Sequence, residues 1–341
     1  SAKTRLGWMY PMSSNIVEGM FTQPLKQALM NSKLSTEFLS PWKGYEYVLA
    51  KITRLYQNDR QYLSASDFSH TDSHFGKWVM YEVYDVIKHA FQPKYWNELK
   101  ESMLHVCEIP LLLSNDKWIV GNHGVASGSN WTNDCETYLD FIAEEYFTLL
   151  GLVSAPAVAI GDDVLHTRST YDKTFAKEIA LIYRQMGFDV NEEKVTNDIH
   201  SVKYLKRWTH YSYFSGREIE IDGHKQALLR GIYSTVRALN SSLNPEKFHS
   251  PKLWSKDMFA VRQFMILENV IDHPLFHEFV KFVCKGHSYL QEFARHTDKF
   301  LNEKQRESQL IPGLNPTYNQ EKRDKPLSEF ESIRIARYIR L

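Results

Sequence analysis

Gly161-Asp162-Asp163 lies between the apolar run 155–160 and the shorter stretch 164–167, and it reads as a metal-binding hairpin. Two adjacent carboxylates at a tight turn repel each other, so one protonates unless cations neutralise the pair; divalent metal is the usual solution. Asp-rich turns with Gly also close ordinary hairpins, so the tripeptide is interpreted through its neighbours. Asp67-Phe68-Ser69-His70-Thr71-Asp72 follows a predicted strand over 61–66 and precedes a helix, which places Asp67 at a strand end. A rigid backbone there aims its carboxylate. With Asp162 it completes a clamp for two Mg²⁺ ions about 4 Å apart, which can activate a 3′-hydroxyl and stabilise the leaving oxygen of an in-line phosphoryl transfer. Ser127-Gly128-Ser129-Asn130-Trp131-Thr132-Asn133 is a Gly-containing loop running into a helix. Its backbone can approach a nucleotide or template, and its hydroxyl and amide groups can read a ribose. Ser and Thr are also ordinary helix caps.

The elements that must hold these residues follow from periodicity and turn signals. Helices are expected at 22–33, 44–57, 77–90, 93–105, 132–150 and 171–186, the last ending at Gly187. Strands are expected at 109–113 and 117–120 around Ser114-Asn115-Asp116, and 188–190 reads as extended. Residues 202–208 and 218–221 read as a hairpin around Ser215-Gly216. From His224 onward strands disappear, with helices at 224–241, 255–271, 274–285, 288–306 and 328–339. Mixed elements first and helices afterwards imply an α+β core with an appended α-helical lobe.

The 341 residues carry 43% hydrophobic and 24% charged residues, which are globular values and allow a substantial core. Cys107, Cys135 and Cys284 show no close spacing, so neither a disulfide framework nor a structural zinc site is indicated, and a reducing compartment fits. The longest apolar stretch, 147–160, is broken by Ser154 and Pro156 and falls short of a membrane span; no membrane partner is expected. The net charge of zero conceals an asymmetry. Residues 1–60 carry eight Lys/Arg against four Asp/Glu, whereas 61–163 carry five Lys against fifteen Asp/Glu. Basic segments flanking an acidic centre suit a metal-dependent enzyme acting on a polyanion.

The order Asp-x4-Asp, Ser-Gly-x3-Thr, Gly-Asp-Asp resembles motifs A, B and C of viral RNA-dependent RNA polymerases. Lys3-Thr4-Arg5 with Trp8-Met9-Tyr10-Pro11 and Gln23-Pro24-Leu25 is similar to the basic motif F region of the picobirnavirus and partitivirus polymerases, the double-stranded RNA virus type. Residues 187–194 look like motif D and 202–207 like motif E, so the resemblance spans 1 to about 210. It implies a right-hand polymerase fold: an antiparallel-sheet palm flanked by helices, partial fingers and an α-helical thumb. The segments would be fingers at 1–60, palm at 61–78, a fingers insertion at 79–120, palm at 121–210, and thumb with C-terminal tail at 211–341.

Carried over residue by residue, the resemblance implies Asp67 and Asp162 as principal ligands of two Mg²⁺ or Mn²⁺ ions, with Asp163 supporting. Asp72 would sense the ribose 2′-hydroxyl with Ser127, Gly128, Thr132 and Asn133. Lys3 and Arg5 would hold the triphosphate, and Lys194 would protonate the pyrophosphate leaving group. Lys206 and Arg207 would lie near the RNA backbone. Partners would be RNA template and product, NTPs and, as a further candidate, viral capsid protein, in the host cytoplasm or virion interior. His70, His74 and His166 are discounted as ligands, because hard Mg²⁺ prefers oxygen; solvent or template contact is expected of them.

Two departures stand out. Four positions after Thr132 the chain has Glu136 where positive-strand polymerases often have Asn, and little sequence precedes Lys3 where such enzymes carry fingers, so the chain reads as N-terminally incomplete. The rival readings are a reverse transcriptase, a non-catalytic RNA-binding or capsid-associated polymerase remnant and, more distantly, a metal phosphohydrolase. Gly161, where a reverse transcriptase usually has Tyr-x-Asp-Asp, and Asp72 argue for RNA synthesis.

Overall fold

The computed structural model describes residues 9–69, 71–126, 128–190, 192–245, 250, 252–315 and 325–340; at 67–69, 71 and 72 it describes the backbone only. Two compact units divide the chain, Ser1–Trp42 with Arg60–Ile199 and Lys43–Asp59 with His200–Leu341. These limits cut across the segments 1–60 and 121–210 read from the sequence.

Up to residue 199 the elements are α1 (Met12–Met30), α2 (Tyr45–Gln57), β1 (Tyr62–Ser69), α3 (Thr71–His74), α4 (Lys77–Ile87), α5 (Trp96–His105), β2 (Leu111–Ser114), β3 (Lys117–Ile119), α6 (Asn130–Leu149), β4 (Val158–Ile160), β5 (Asp163–Arg168), α7 (Phe175–Gln185), β6 (Asp189–Val190) and β7 (Thr196–Asn197). All but α2 belong to the first unit. Its sheet runs β4-β5-β1-β6, with β7 also on β1, and every pairing is antiparallel. Strand β1 is central. Residues 63–66 are all buried, so both faces of the strand are covered although Leu63-Ser64-Ala65-Ser66 alternate apolar and polar. The strand continues to Ser69, which sets Asp67 two residues inside it rather than at its end.

Helix α6 opens at Ser129, whose hydroxyl accepts from Trp131 N, a side-chain cap for an otherwise unpaired donor. It packs against β4, α4 and α1, and buries Trp131, Cys135 and Phe147 completely. Burying a side chain such as Phe147 contributes roughly 1.5–3 kcal/mol. The same helix also buries Asp134, Glu136, Asp140 and Glu144, a composition that packing alone does not favour.

The second unit contains α2, then β8 (Ser201–Tyr204), β9 (Arg207–His210), β10 (Phe214–Ile221), β11 (His224–Leu229) and β12 (Ile232–Tyr233), followed by α8 (Thr235–Leu243), α9 (Lys256–Glu268), α10 (Phe276–Gly286), α11 (Tyr289–Ala294), α12 (Asp298–Gln309) and α13 (Glu331–Tyr338). Val48, Leu49, Ile52, Leu55 and Tyr56 of α2 recur at helical spacing and are buried, and the helix packs on β11. The bundle core gathers Phe264, Leu290, Phe293 and Ile333.

Here the strands differ from expectation. Two hairpins replace the single one: β8 pairs β9 and β10 pairs β11, so strands continue past His224 and the helix expected at 224–241 starts at Thr235. The turn of the first hairpin is Leu205-Lys206, with φ of +47° and +64°. Both residues occupy the left-handed region without Gly or Asn, so nothing in their types marks a turn. Asp222-Gly223, with φ of +51° and +79°, closes the second hairpin as a two-residue turn of the I′ kind. Ser215-Gly216 lies where the β10–β11 register shifts, so the glycine marks an irregularity within a strand instead of a turn. The helix expected at 288–306 is interrupted between α11 and α12, where Thr297 caps the second.

Candidate active site

Strand β4, the turn Gly161-Asp162 and strand β5 form a two-residue hairpin, Ile160 pairing with Asp163. Gly161 has φ of +57° and Asp162 does not share it, the pattern of a II′ turn with Gly at its first central position. A side chain at Gly161 is disfavoured on two counts: the positive φ, and the Asn133 amide nitrogen, 2.8 Å from where a Cβ would sit, which would have to move. The hairpin is tied to α6 by Gly161 N, which donates to Thr137 Oγ1 at 2.9 Å, and Thr137 in turn donates to Asn133 O.

The β1–β5 register sets the backbone of Asp67 directly opposite that of Asp163. Carboxyl-bearing residues facing each other across an antiparallel pair destabilise it unless a counter-charge intervenes. Asp162 and Asp163 are half-buried. Along the face of α6 nearest them run Glu136, Asp140 and Glu144, at intervals of one helical turn; Glu136 and Asp140 line a narrow crevice with Gly161, Asp162, Phe75 and Phe188. Burial, and then the charges of Glu136, Glu144, Asp162 and Asp163, hold the Asp140 carboxyl well above the usual carboxylate range. Its Oδ2 is buried with no hydrogen-bond partner. Such crowding of oxygen donors is what a hard divalent cation relieves, so the residues present fit one. Among the described residues, no three His, Cys, Asp or Glu side chains cluster as a metal site; the side chain of Asp67 lies outside them.

Asn133 reaches the hairpin, as its approach to Gly161 shows. The Thr132 hydroxyl instead donates to Ala126 O at 2.7 Å and is buried, so it anchors the loop entering α6. Gly128 lies in the turn before Ser129. Lys194 is exposed at the end of a short 3-10 turn, Glu192–Lys194. Lys3, Arg5, His70 and Ser127 lie outside the described residues, as does the side chain of Asp72.

Arg207 corrects an expectation. Its side chain is fully buried in the second unit, donating to Asn269 O at 2.8 Å and Asn269 Oδ1 at 3.1 Å, with the guanidinium 4.2 Å from the centre of the Tyr45 ring. It is part of the core and does not face RNA; Lys206 beside it is exposed. His166 is a second correction. It faces neither solvent nor template but is completely buried.

A family model described as "Viral RNA-dependent RNA polymerase" matches residues 1–216. The chain belongs to that family. It is 29% identical over 301 residues to a protein of human picobirnavirus (strain Human/Thailand/Hy005102/-) named "Potential RNA-dependent RNA polymerase", a match covering 83% of this chain and 51% of that one. The crystal structure of the RNA-dependent RNA polymerase of a human picobirnavirus superposes with a TM-score of 0.76 at 24% identity, over 98% of this chain and 61% of the other. An insertion-loop deletion mutant of such a polymerase gives 0.75 at 25%, over 98% and 60%. The fold is therefore the right-hand polymerase fold, and this family member spans about half the length of its curated relative.

Sequence reasoning missed what surrounds the hairpin. Glu18 of α1 is buried at the start of α6, accepting from Ser129 Oγ at 2.8 Å and Asn130 N at 2.7 Å, a carboxylate at the positive end of a helix. Nothing in its local sequence marks it. Glu136, Asp140 and Glu144 do carry a signal, three acids at four-residue spacing, but that pattern ordinarily denotes a solvated face.

Proposed function

We propose that the chain carries the nucleotidyl-transfer centre of an RNA-directed RNA polymerase, joining NTPs to an RNA 3′-hydroxyl on an RNA template by a two-metal mechanism. The observation that carries the reading is the register of Asp67 opposite Asp163 at the mouth of the Gly161-Asp162 turn. In it, Asp67, Asp162 and Asp163 would hold two Mg²⁺ or Mn²⁺ ions, which would supply acidification of the 3′-hydroxyl and neutralisation of charge on the transferred phosphoryl group.

The chain's own residues do the positioning. Thr137 holds the hairpin at a fixed height on α6, so Asp162 and Asp163 are preorganised. Asp72, Ser127, Gly128 and Asn133 contact the ribose and adjoining backbone, Thr132 supporting them through Ala126, and Lys3 and Arg5 bind the triphosphate. Lys194 donates the proton that leaves with pyrophosphate. Residues 1–42 and 79–120 serve as fingers, the β4-β5-β1-β6 sheet as palm, and the helices from α8 onward as thumb. RNA and NTPs are then the partners, with viral capsid protein a further one, in the host cytoplasm or virion.

Asp162→Ala tests the reading: templated NTP incorporation falls by at least about 10³-fold, on the scale of losing electrostatic stabilisation of a transition state, while the far-UV spectrum stays unchanged. Retained incorporation overturns it. Preference for NTP over dNTP separates it from reverse transcription.

A further inference from the structure

The buried histidine of β5 has no part in the reaction just described, yet its surroundings are built with care. His166 Nδ1 lies 2.7 Å from Glu144 Oε1 on α6, and His166 Nε2 lies 2.7 Å from Ser66 Oγ on β1. His166 and Glu144 are fully buried and Ser66 is 3% exposed. Ser66 directly precedes Asp67, and His166 is three residues after Asp163 on the strand paired with it. One imidazole thus joins three elements: the strand of Asp67, the strand of Asp163, and the helix that holds the hairpin through Thr137.

Fold stability alone does not account for it. Ionisable groups withdrawn from water incur a desolvation cost that well-packed apolar residues of like volume avoid, and replacement of such groups is often neutral or stabilising. Glu144 Oε2 moreover has no partner in its buried position. What the chain supplies that an apolar core would not is direction. A hydrogen bond fixes the slide of one strand against another and against α6, to a few tenths of an ångström.

We propose that His166 is a positioning residue for the metal-binding carboxylates: the Ser66–His166–Glu144 chain fixes β1 and β5 on α6 so that the backbones at 67 and 162–163 are held at the separation a divalent pair requires. This rests on the two-metal reading above. Groups that orient ligands from behind commonly set metal affinity within 10–100-fold, and the readout is therefore metal binding as well as turnover.

The experiment titrates the chain with Mn²⁺ and follows the free ion by electron paramagnetic resonance, beside steady-state incorporation. Ser66→Ala cuts the link to β1 with little change of volume, His166→Leu cuts both links, and Glu144→Gln keeps an acceptor for Nδ1. The expected result is an apparent Mn²⁺ Kd raised about 10-fold or more in Ser66→Ala and His166→Leu, with kcat reduced and NTP KM within about twofold, and Glu144→Gln within about threefold of the parent chain. A parent-like Mn²⁺ curve in Ser66→Ala, or in a folded His166→Leu, overturns the proposal and leaves the triad a purely architectural one; if His166→Leu does not fold, Ser66→Ala decides. Asp162→Ala is the control. Parent-like Mn²⁺ binding in that variant defeats the two-metal reading itself, whatever the other variants do.

Discussion

The acidic column of the first unit and two buried carboxylates of the second have opposite surroundings. In the second, Asp272 and Glu268 meet hydrogen-bond donors. Asp272 accepts two hydrogen bonds from Arg217, at 3.0 and 2.7 Å, and a third from Gly231 N. Glu268 accepts from Glu331 N, Ser332 N and Ser332 Oγ at the start of α13. In the first, Glu136, Asp140 and Glu144 line up with one another and with Asp162 and Asp163, and two of the buried oxygens have no partner. A satisfied buried charge holds architecture together, whereas like charges gathered side by side mark a place organised around something else.

The largest effect expected from breaking that comparison lies in the second unit. Asp272→Ala leaves Arg217 and Gly231 N without their acceptor, and removal of one partner from such a pair typically costs about 3–5 kcal/mol. Urea denaturation measures it as a lower midpoint with an unchanged slope. A loss below about 1 kcal/mol would mean that satisfied charge in this unit is as dispensable as surface charge.

A smaller change of opposite sign is expected in the first unit. The folded-state pKa of Asp140 is raised above its ordinary 3.8 by burial and by its acidic neighbours. The native chain therefore keeps a proton that the unfolded chain releases. That contribution is full below the unfolded value and is lost as pH rises through the folded one. Asp140→Asn has no proton to lose. Measured in EDTA, its stability relative to the parent rises between pH 5 and pH 8.5; parallel curves would show that the acidic column imposes no strain on the fold.

Legibility follows the same division. The Gly161-Asp162-Asp163 hairpin was readable because its chemistry and its turn geometry coincide in three adjacent residues. The α+β core followed by a helical lobe was readable from periodicity. The register of Asp67 against Asp163 was not, since β1 is covered on both faces and its short alternation, Leu63-Ser64-Ala65-Ser66, separates no solvent face from a core face. Asp222-Gly223 is a plain hairpin signal that the helix expected at 224–241 passes over. Burial of Arg207 and His166 depends on partners 62 and 22 or more residues away, which no local pattern encodes.

The smallest effect concerns Lys206 and Arg207, neighbours in sequence with opposite surroundings. If the exposed lysine meets an RNA phosphate, Lys206→Ala lowers the slope of log K against log salt by about 0.7, the release of one counterion from a single strand. Arg207→Met removes a guanidinium held by Asn269 and stacked on Tyr45. It therefore lowers the thermal midpoint and leaves the salt slope of the folded chain unchanged, because a buried arginine neutralises no phosphate and releases no counterion. A drop in slope for Arg207→Met, with folding intact, would show that its side chain leaves the core to meet RNA, and buried charge in the second unit would then be more than architecture.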